Sequence, residues 1–311
     1  MINNKEKNFI SAVIYLNSSS REITKFLVGL NNVLSDNFLK YEIICVNDGA
    51  KENCLDEVRT FSRDIDGAVV SIVNMSYVQG MEISMKAGID FAIGDFVYEF
   101  DSIGVDYDWN IIMDVYRQSL KGFDIVSAVP KSKSKSASRL FYKIFNSNSN
   151  SMYKLQTQTF RIISRRGINR VQAMNKSIPY RKAIYANCGL NLYFLEYEIN
   201  NKLEKVDYDK KESLNLATDS LVIFTNVAYK FSLTMSIIFL ISTIAVAGYS
   251  AYMFFNKTVI EGWTTTMLFM AFSFFGIFLF FAVIIKYLSI MMDMIFKKQE
   301  YLIKSVDKLT R

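Results

Sequence analysis

FVYEFDSIGVDYDW, residues 96–109, opens as a buried strand of aromatic and β-branched residues and then breaks into carboxylates. Glu99 and Asp101 are two apart, so on a strand they point to the same side. Asp106 and Asp108 follow in the loop beyond. In an open α/β sheet, ligands sit outside the carboxyl ends of the strands. Acids clustered there can hold a divalent cation with oxygen ligands and, through it, a diphosphate. A solvated acidic loop is the plainer alternative, and the surrounding chain has to decide between them.

Upstream, strand and helix patterns alternate. Phe9–Leu16 (FISAVIYL) is a nearly continuous apolar run, as expected of a parallel strand covered on both faces. Ile23, Phe26, Leu27, Leu30 and Leu34 then fall on one helical face. Tyr41–Val46 is a second strand ending in Asn47-Asp48-Gly49, Asp56–Phe61 a short helix, and Ala68–Val73 a third strand. Gln79–Phe91 is a helix whose Ala87 and Gly88 permit close packing on a sheet, and Asp95–Asp101 is the fourth strand. This order predicts a mostly parallel α/β sheet with right-handed crossovers and helices on both faces. No Gly-x-Gly-x-x-Gly follows the first strand and no P-loop is present, which argues against a dinucleotide or Walker-type site.

Downstream, Gly122–Pro130 adds a fifth strand and Lys131–Ser138 (KSKSKSAS) a basic, serine-rich loop. Leu140, Phe141, Ile144 and Phe145 share one face of a helix that lies either on a membrane interface or on the domain core. Leu155–Ser164 is strand-like and leads into Arg165-Arg166.

The chain has 311 residues, a formal net charge of +6, 25 Phe and no His. The missing His removes Ser-His-Asp and Cys-His catalysis and His-ligated zinc. Cys45, Cys54 and Cys188 lack metal-ligand spacing and read as reduced thiols facing the cytosol. The basic balance admits phosphate-bearing ligands or an anionic membrane surface. With no recognisable nucleic-acid module, a nucleic-acid partner is not expected.

The composition changes near Tyr229. Phe231–Phe255 and Trp263–Ile285 carry no charge over about 25 and 23 residues, and both exceed the ~20 needed to cross a hydrocarbon core. The loop between them, Asn256–Gly262, is short, so the two form a membrane hairpin. Lys230 precedes the first span, and Lys286, Lys297, Lys298 and Lys304 follow the second, which predicts that both termini are cytoplasmic. The division is therefore a cytoplasmic domain over 1–228, a hairpin over 229–288 and an amphipathic helical tail over 289–311 lying along the membrane surface. Hairpins of this kind can also pack with copies of themselves.

Several segments resemble family-2 glycosyltransferases. YEIICVNDGAKEN (41–53) is similar to their YEIIFVDDGSTDN segment, and residues 74–102 to the segment that leads through Gly-Asp into Asp-x-Asp. FRIISRR (160–166) matches their FR-x-x-SR, and EGWTT (261–265) resembles the GW-T/S that opens the second span. The likeness is strongest to the polyprenyl-phosphate branch, which includes dolichol-phosphate-mannose-synthase-like enzymes. It implies a GT-A fold and inverting transfer of a sugar from a UDP- or GDP-sugar to undecaprenyl phosphate at a bacterial inner membrane.

By position, the resemblance assigns Asp48 to the nucleoside, with Asn17, Gln79 and Gly80 also in donor binding. Asp101 becomes the first acid of a Mg²⁺ or Mn²⁺ motif, and Arg161 a contact to substrate phosphate. The chain departs from the pattern at three acids. The second metal acid falls at Ile103, and Glu99 or Asp106 is the expected substitute; for Glu99 the alternative is a structural ion pair at the sheet edge. The usual base falls at Thr159, after Gln158, and Asn17-Ser18 stands for Asn-Glu. The catalytic set is then Asp101, Asp106 and Arg161. The other reading is a non-catalytic relative that binds a nucleotide sugar or a partner transferase.

Overall fold

The structure is a computed structural model, and it describes residues 5–65, 67–131, 136–149, 152–174, 180–200, 225, 262–296 and 301–309, with scattered positions between 230 and 252. The predicted boundary at 228, most of the first apolar span, positions 132–135 of the basic loop and Lys297 and Lys298 lie outside the described residues.

The four apolar runs are strands: β1 (Ile10–Leu16), β2 (Tyr41–Asn47), β3 (Val69–Met75) and β4 (Phe96–Phe100). Between them lie α1 (Ile23–Asn37), α2 (Glu52–Asp64) and α3 (Met81–Phe91). Every residue of β1 is buried, which is why its sequence is nearly continuously apolar rather than alternating. The five predicted residues of the α1 face are its buried ones. A Cβ at Gly88 would come within 2.5 Å of the Val13 and Val46 side chains, so α3 approaches β1 and β2 more closely than any larger residue allows.

The rest of the domain is α4 (Asn110–Ser119), β5 (Ile125–Pro130), α5 (Ser136–Asn148), β6 (Phe160–Ser164), α6 (Arg165–Ala173), α7 (Arg181–Asn187) and β7 (Leu192–Tyr197). A long helix, α8 (Trp263–Phe296), and a final strand, β8 (Ile303–Lys308), complete it. The eight strands form one sheet in the order β7-β5-β6-β4-β1-β2-β3-β8. β1 to β4 are mutually parallel where they pair; β6 runs antiparallel to β4 and β5, and β8 antiparallel to β3. Because β1 has β2 on one side and β4 on the other, the strand order reverses between β1 and β4. Crevices at such a reversal are where open α/β sheets take ligands.

The structure selects one of two alternatives left open and overturns one expectation. On α5, Phe145 is fully buried with Leu155, Tyr180, Ala183 and Ala186, so this helix packs on the domain while Leu140 remains exposed. The tail is not a surface helix over its length. α8 runs to Phe296, and Ile303–Lys308 then pairs along β3 as an edge strand. The open edge of β3 offers unpaired backbone groups, and side chains secure the match. Asn74 accepts a hydrogen bond from Asn47 (2.8 Å) and donates to Ser305 and Asp307 (3.0 Å each).

Of the predicted hairpin, the second span lies within α8, 34 residues long. Some of its side chains lie outside the described ones, and among the described residues no helix is long and apolar enough to cross a membrane.

Ending the chain at residue 300 is expected to expose the β3 edge, lower the thermal midpoint and speed amide exchange across Val69–Met75. Unchanged exchange there, measured by hydrogen–deuterium mass spectrometry, would show that β8 does not protect the sheet.

Candidate functional site at the carboxyl rim of the sheet

Since β1 to β4 are parallel, the residues that follow them share one rim: Asn17 after β1, Asp48 after β2, Gln79 and Gly80 beyond β3, and Asp101 after β4. Asn17 shapes its own turn, its side-chain oxygen accepting from the Ser19 backbone N–H (3.1 Å) and from the Ser19 hydroxyl (2.8 Å).

Asp48 is buried and accepts from the backbone N–H groups of Gln79 (2.8 Å) and Gly80 (2.9 Å) and from the Tyr15 hydroxyl (2.9 Å). Such charge-assisted bonds hold the loop before α3, where Gly80 takes φ 88°, a conformation suited to glycine. The Gln79 side chain faces the other way, donating to the Leu302 carbonyl (2.7 Å) and accepting from the Leu302 N–H (2.9 Å). Asp48 and the C-terminal segment thus grip the same loop from two sides.

The acids of β4 meet cations. Glu99 is the register partner of Arg161 on β6, and cross-strand partners place their side chains on one face. Arg161 donates to Glu99 (2.8 Å) and to Asp101 (2.5 Å). Arg181, the first residue of α7, donates to Glu99 (2.5 Å), to Asp101 (2.7 Å) and through Nε to Glu82 on α3 (2.9 Å). Tyr185 donates to the second Glu99 oxygen (2.5 Å). Arg161 and Glu99 are 0% exposed, and Asp101 and Arg181 5% and 4%. Arg161 Nε and Glu82 Oε1 are buried and unpartnered among the described residues.

Burial is the largest single influence on Asp101 and raises its pKa. Arg161, Arg181 and Lys182 together outweigh it and hold the carboxyl well below the usual range. Burial first, then Glu99, pushes Tyr185 well above its ordinary value, so it stays a phenol donor.

These residues do not fit the predicted Mg²⁺ or Mn²⁺. Such an ion needs several free oxygen ligands, whereas both oxygens of Asp101 and both of Glu99 already accept from guanidinium or phenol. Ile103, at the second acid position, packs against the main core. Asp106 stands outside the arginine network. It accepts from the Tyr197 hydroxyl (2.7 Å), which also bonds Thr159. Among the described residues, no group of three or more acids or cysteines is arranged to hold a metal. The three cysteines are buried and unpaired by disulfide, and burial pushes Cys54 up to about 11, which leaves it an unreactive thiol.

The sequence pattern described as glycosyl transferase family 2 matches residues 14–102, the span from β1 to just past Asp101. This segment of the chain is similar to family-2 glycosyltransferases. The chain is 25% identical over 223 residues to the uncharacterised glycosyltransferase sll0501 of Synechocystis sp., covering 70% of this chain and 69% of that protein. It is 23% identical over 250 residues to the uncharacterised glycosyltransferase YkcC of Bacillus subtilis, covering 76% and 75%. Among solved structures it is similar to glucosyl-3-phosphoglycerate synthase of Mycobacterium tuberculosis (10% identity, 69% and 78% covered, TM-score 0.49). A mannosyltransferase of Pyrobaculum calidifontis, solved with GDP-Man and Mn²⁺, is also similar (10% identity, 94% and 89% covered, TM-score 0.46).

Arg161 was legible from its motif, whereas Arg181, Tyr185 and the acid that completes the network, Glu82, were not. Arg181 and Tyr185 reach the site on a seven-residue helix with no spacing signal linking it to β4. Glu82 sits in the first turn of α3 and reads as an ordinary N-terminal acid.

Removing one partner strands a buried charge, so Arg161→Met is expected to cost about 3–5 kcal/mol in urea unfolding. Adding Glu99→Gln should recover part of it, and strictly additive losses would contradict the coupling. The lowered Asp101 pKa stabilises the fold above its unfolded value of about 4, and this contribution is lost as pH falls below that. Stability between about pH 4 and pH 2 should therefore fall more steeply in the native chain than in Asp101→Asn; equal slopes would exclude the linkage.

Proposed function

We propose that the chain transfers a sugar from a nucleotide-sugar donor, UDP- or GDP-linked, to a polyprenyl phosphate on the cytoplasmic face of a bacterial inner membrane. The observation that carries the reading is the family-2 segment ending on a rim of Asn17, Asp48, Gly80 and Asp101 at a strand-order reversal. The names of the two relatives, both glycosyltransferases, support the reaction class.

Membrane anchoring has two supports. Wherever the described helices beyond residue 230 carry large apolar side chains, many are open to solvent, including Ile241, Ile244, Phe272, Phe281, Ile284 and Ile285. Apolar surface of that extent wants lipid or protein cover. The chain also returns as β8 to the sheet it left, which requires an even number of crossings, and two uncharged segments supply two.

On this reading Asp48 orders the loop that borders the nucleoside, and the arginines on Glu99 and Asp101 offset carboxylate charge that would otherwise repel a diphosphate at the strand end. A lipid phosphate is already an anionic nucleophile at neutral pH, so Gln158 and Thr159 in place of a base are tolerable. The same two residues favour the second reading, a relative that binds a nucleotide sugar without turnover and regulates a partner transferase.

The full chain in nanodiscs containing undecaprenyl phosphate, given radiolabelled UDP- and GDP-sugars in turn, should move label into the organic phase with at least one donor. Saturable donor binding with no lipid-linked label across the panel would favour the binding role. No binding to any donor would exclude both.

A further inference from the structure

We infer that the positive charge a divalent cation supplies at such a strand end is supplied here by side chains. Arg161 and Arg181 hold the acids, and Lys182 is left to meet the diphosphate of the donor. Only the Lys182 half rests on the proposed nucleotide-sugar reading; the metal half does not.

The network holds two guanidiniums against three carboxylates, Glu82, Glu99 and Asp101. Lys182 follows Arg181 in the chain, is half-buried, and acts electrostatically on Asp101. With Lys182 counted, the cluster is neutral. Among the described residues Lys182 has no hydrogen bond or ion pair, so it is the cation of the cluster whose ammonium is unspent. A donor diphosphate arriving at this rim meets that group, while both arginines are committed to carboxylates.

The rival picture is that a metal binds and the arginines swing away. Their placement opposes it. Arg161 springs from β6, between β4 and β5 in the sheet, fully buried and directly opposite Glu99. Stripping its partners leaves a buried, uncompensated guanidinium, which is strongly unfavourable. Keeping it in place asks a divalent cation to share carboxylates with two guanidiniums in a desolvated site. The residue that would have tipped the charge toward a metal is Ile103, an apolar side chain.

The test uses the full chain in nanodiscs. Mn²⁺ alone is titrated and followed by electron paramagnetic resonance, and UDP and GDP are titrated calorimetrically with EDTA or with Mn²⁺. The expected results are no one-to-one Mn²⁺ site, nucleotide affinity within about twofold in EDTA and Mn²⁺, and a loss of about tenfold or more in Lys182→Met. Lys182→Met should still unfold cooperatively, and Lys182→Arg should restore most of the affinity. A stoichiometric Mn²⁺ site that disappears in Asp101→Asn, or a tenfold weakening of nucleotide binding in EDTA, would overturn the metal half. Unchanged affinity in Lys182→Met would overturn the role of Lys182. Failure of both nucleotides to bind under either condition would sink the nucleotide-sugar reading and Lys182 with it, while the Mn²⁺ titration alone still decides whether the acids take a metal.

Discussion

The site depends on one buried electrostatic lattice: Arg161 and Arg181 bridging Glu99 and Asp101 at the carboxyl end of β4. Its geometry follows from strand register. Once β6 pairs antiparallel with β4, Glu99 and Arg161 face each other, and Asp101 lies within reach of the same guanidinium. Arg181 then ties in α7 and, through Glu82, the first turn of α3. One polar cluster therefore joins the parallel half of the sheet, its antiparallel neighbour and two helices. Buried ion pairs rarely add much net stability, but they penalise every arrangement that leaves one member alone. Here that penalty fixes the positions of the groups that form the rim.

The parallel half of the sheet was legible because strands covered on both faces read as nearly continuous apolar runs. Phe9–Leu16 and Tyr41–Val46 differ from β1 and β2 by one residue each. The α1 stripe and the close approach at Gly88 were legible for the same packing reason. Asn17, Asp48 and Asp101 fell on the rim because they follow parallel strands directly. What the pattern could not carry was partnership across long sequence separations. That Glu99 and Asp101 face arginines rather than a metal ion depends on β6 and α7, which lie 60 and more residues away. The ion-pair alternative for Glu99 holds, in the interior of the sheet rather than at its edge.

The tail misled for a different reason. Ile303–Lys308 alternates weakly and is largely exposed, so neither strand nor helix period stands out in six residues. Its conformation is set by an available sheet edge and by Asn74, not by its own pattern. The consequence reaches the rim, because Leu302 holds the side chain of Gln79 while Asp48 holds the adjoining backbone. The segment that follows the long apolar helix thus shares a loop with the strand ends, and the donor rim and the proposed anchor are mechanically continuous.

Whether guanidiniums or a metal ion govern the β4 terminus is decided most directly by crystals of the full chain grown with UDP and Mn²⁺ and measured at the manganese absorption edge. The account predicts no anomalous peak within bonding distance of Asp101, with Arg161 and Arg181 still on Glu99 and Asp101. A peak bridging Asp101 and the diphosphate, with either arginine displaced, would contradict it.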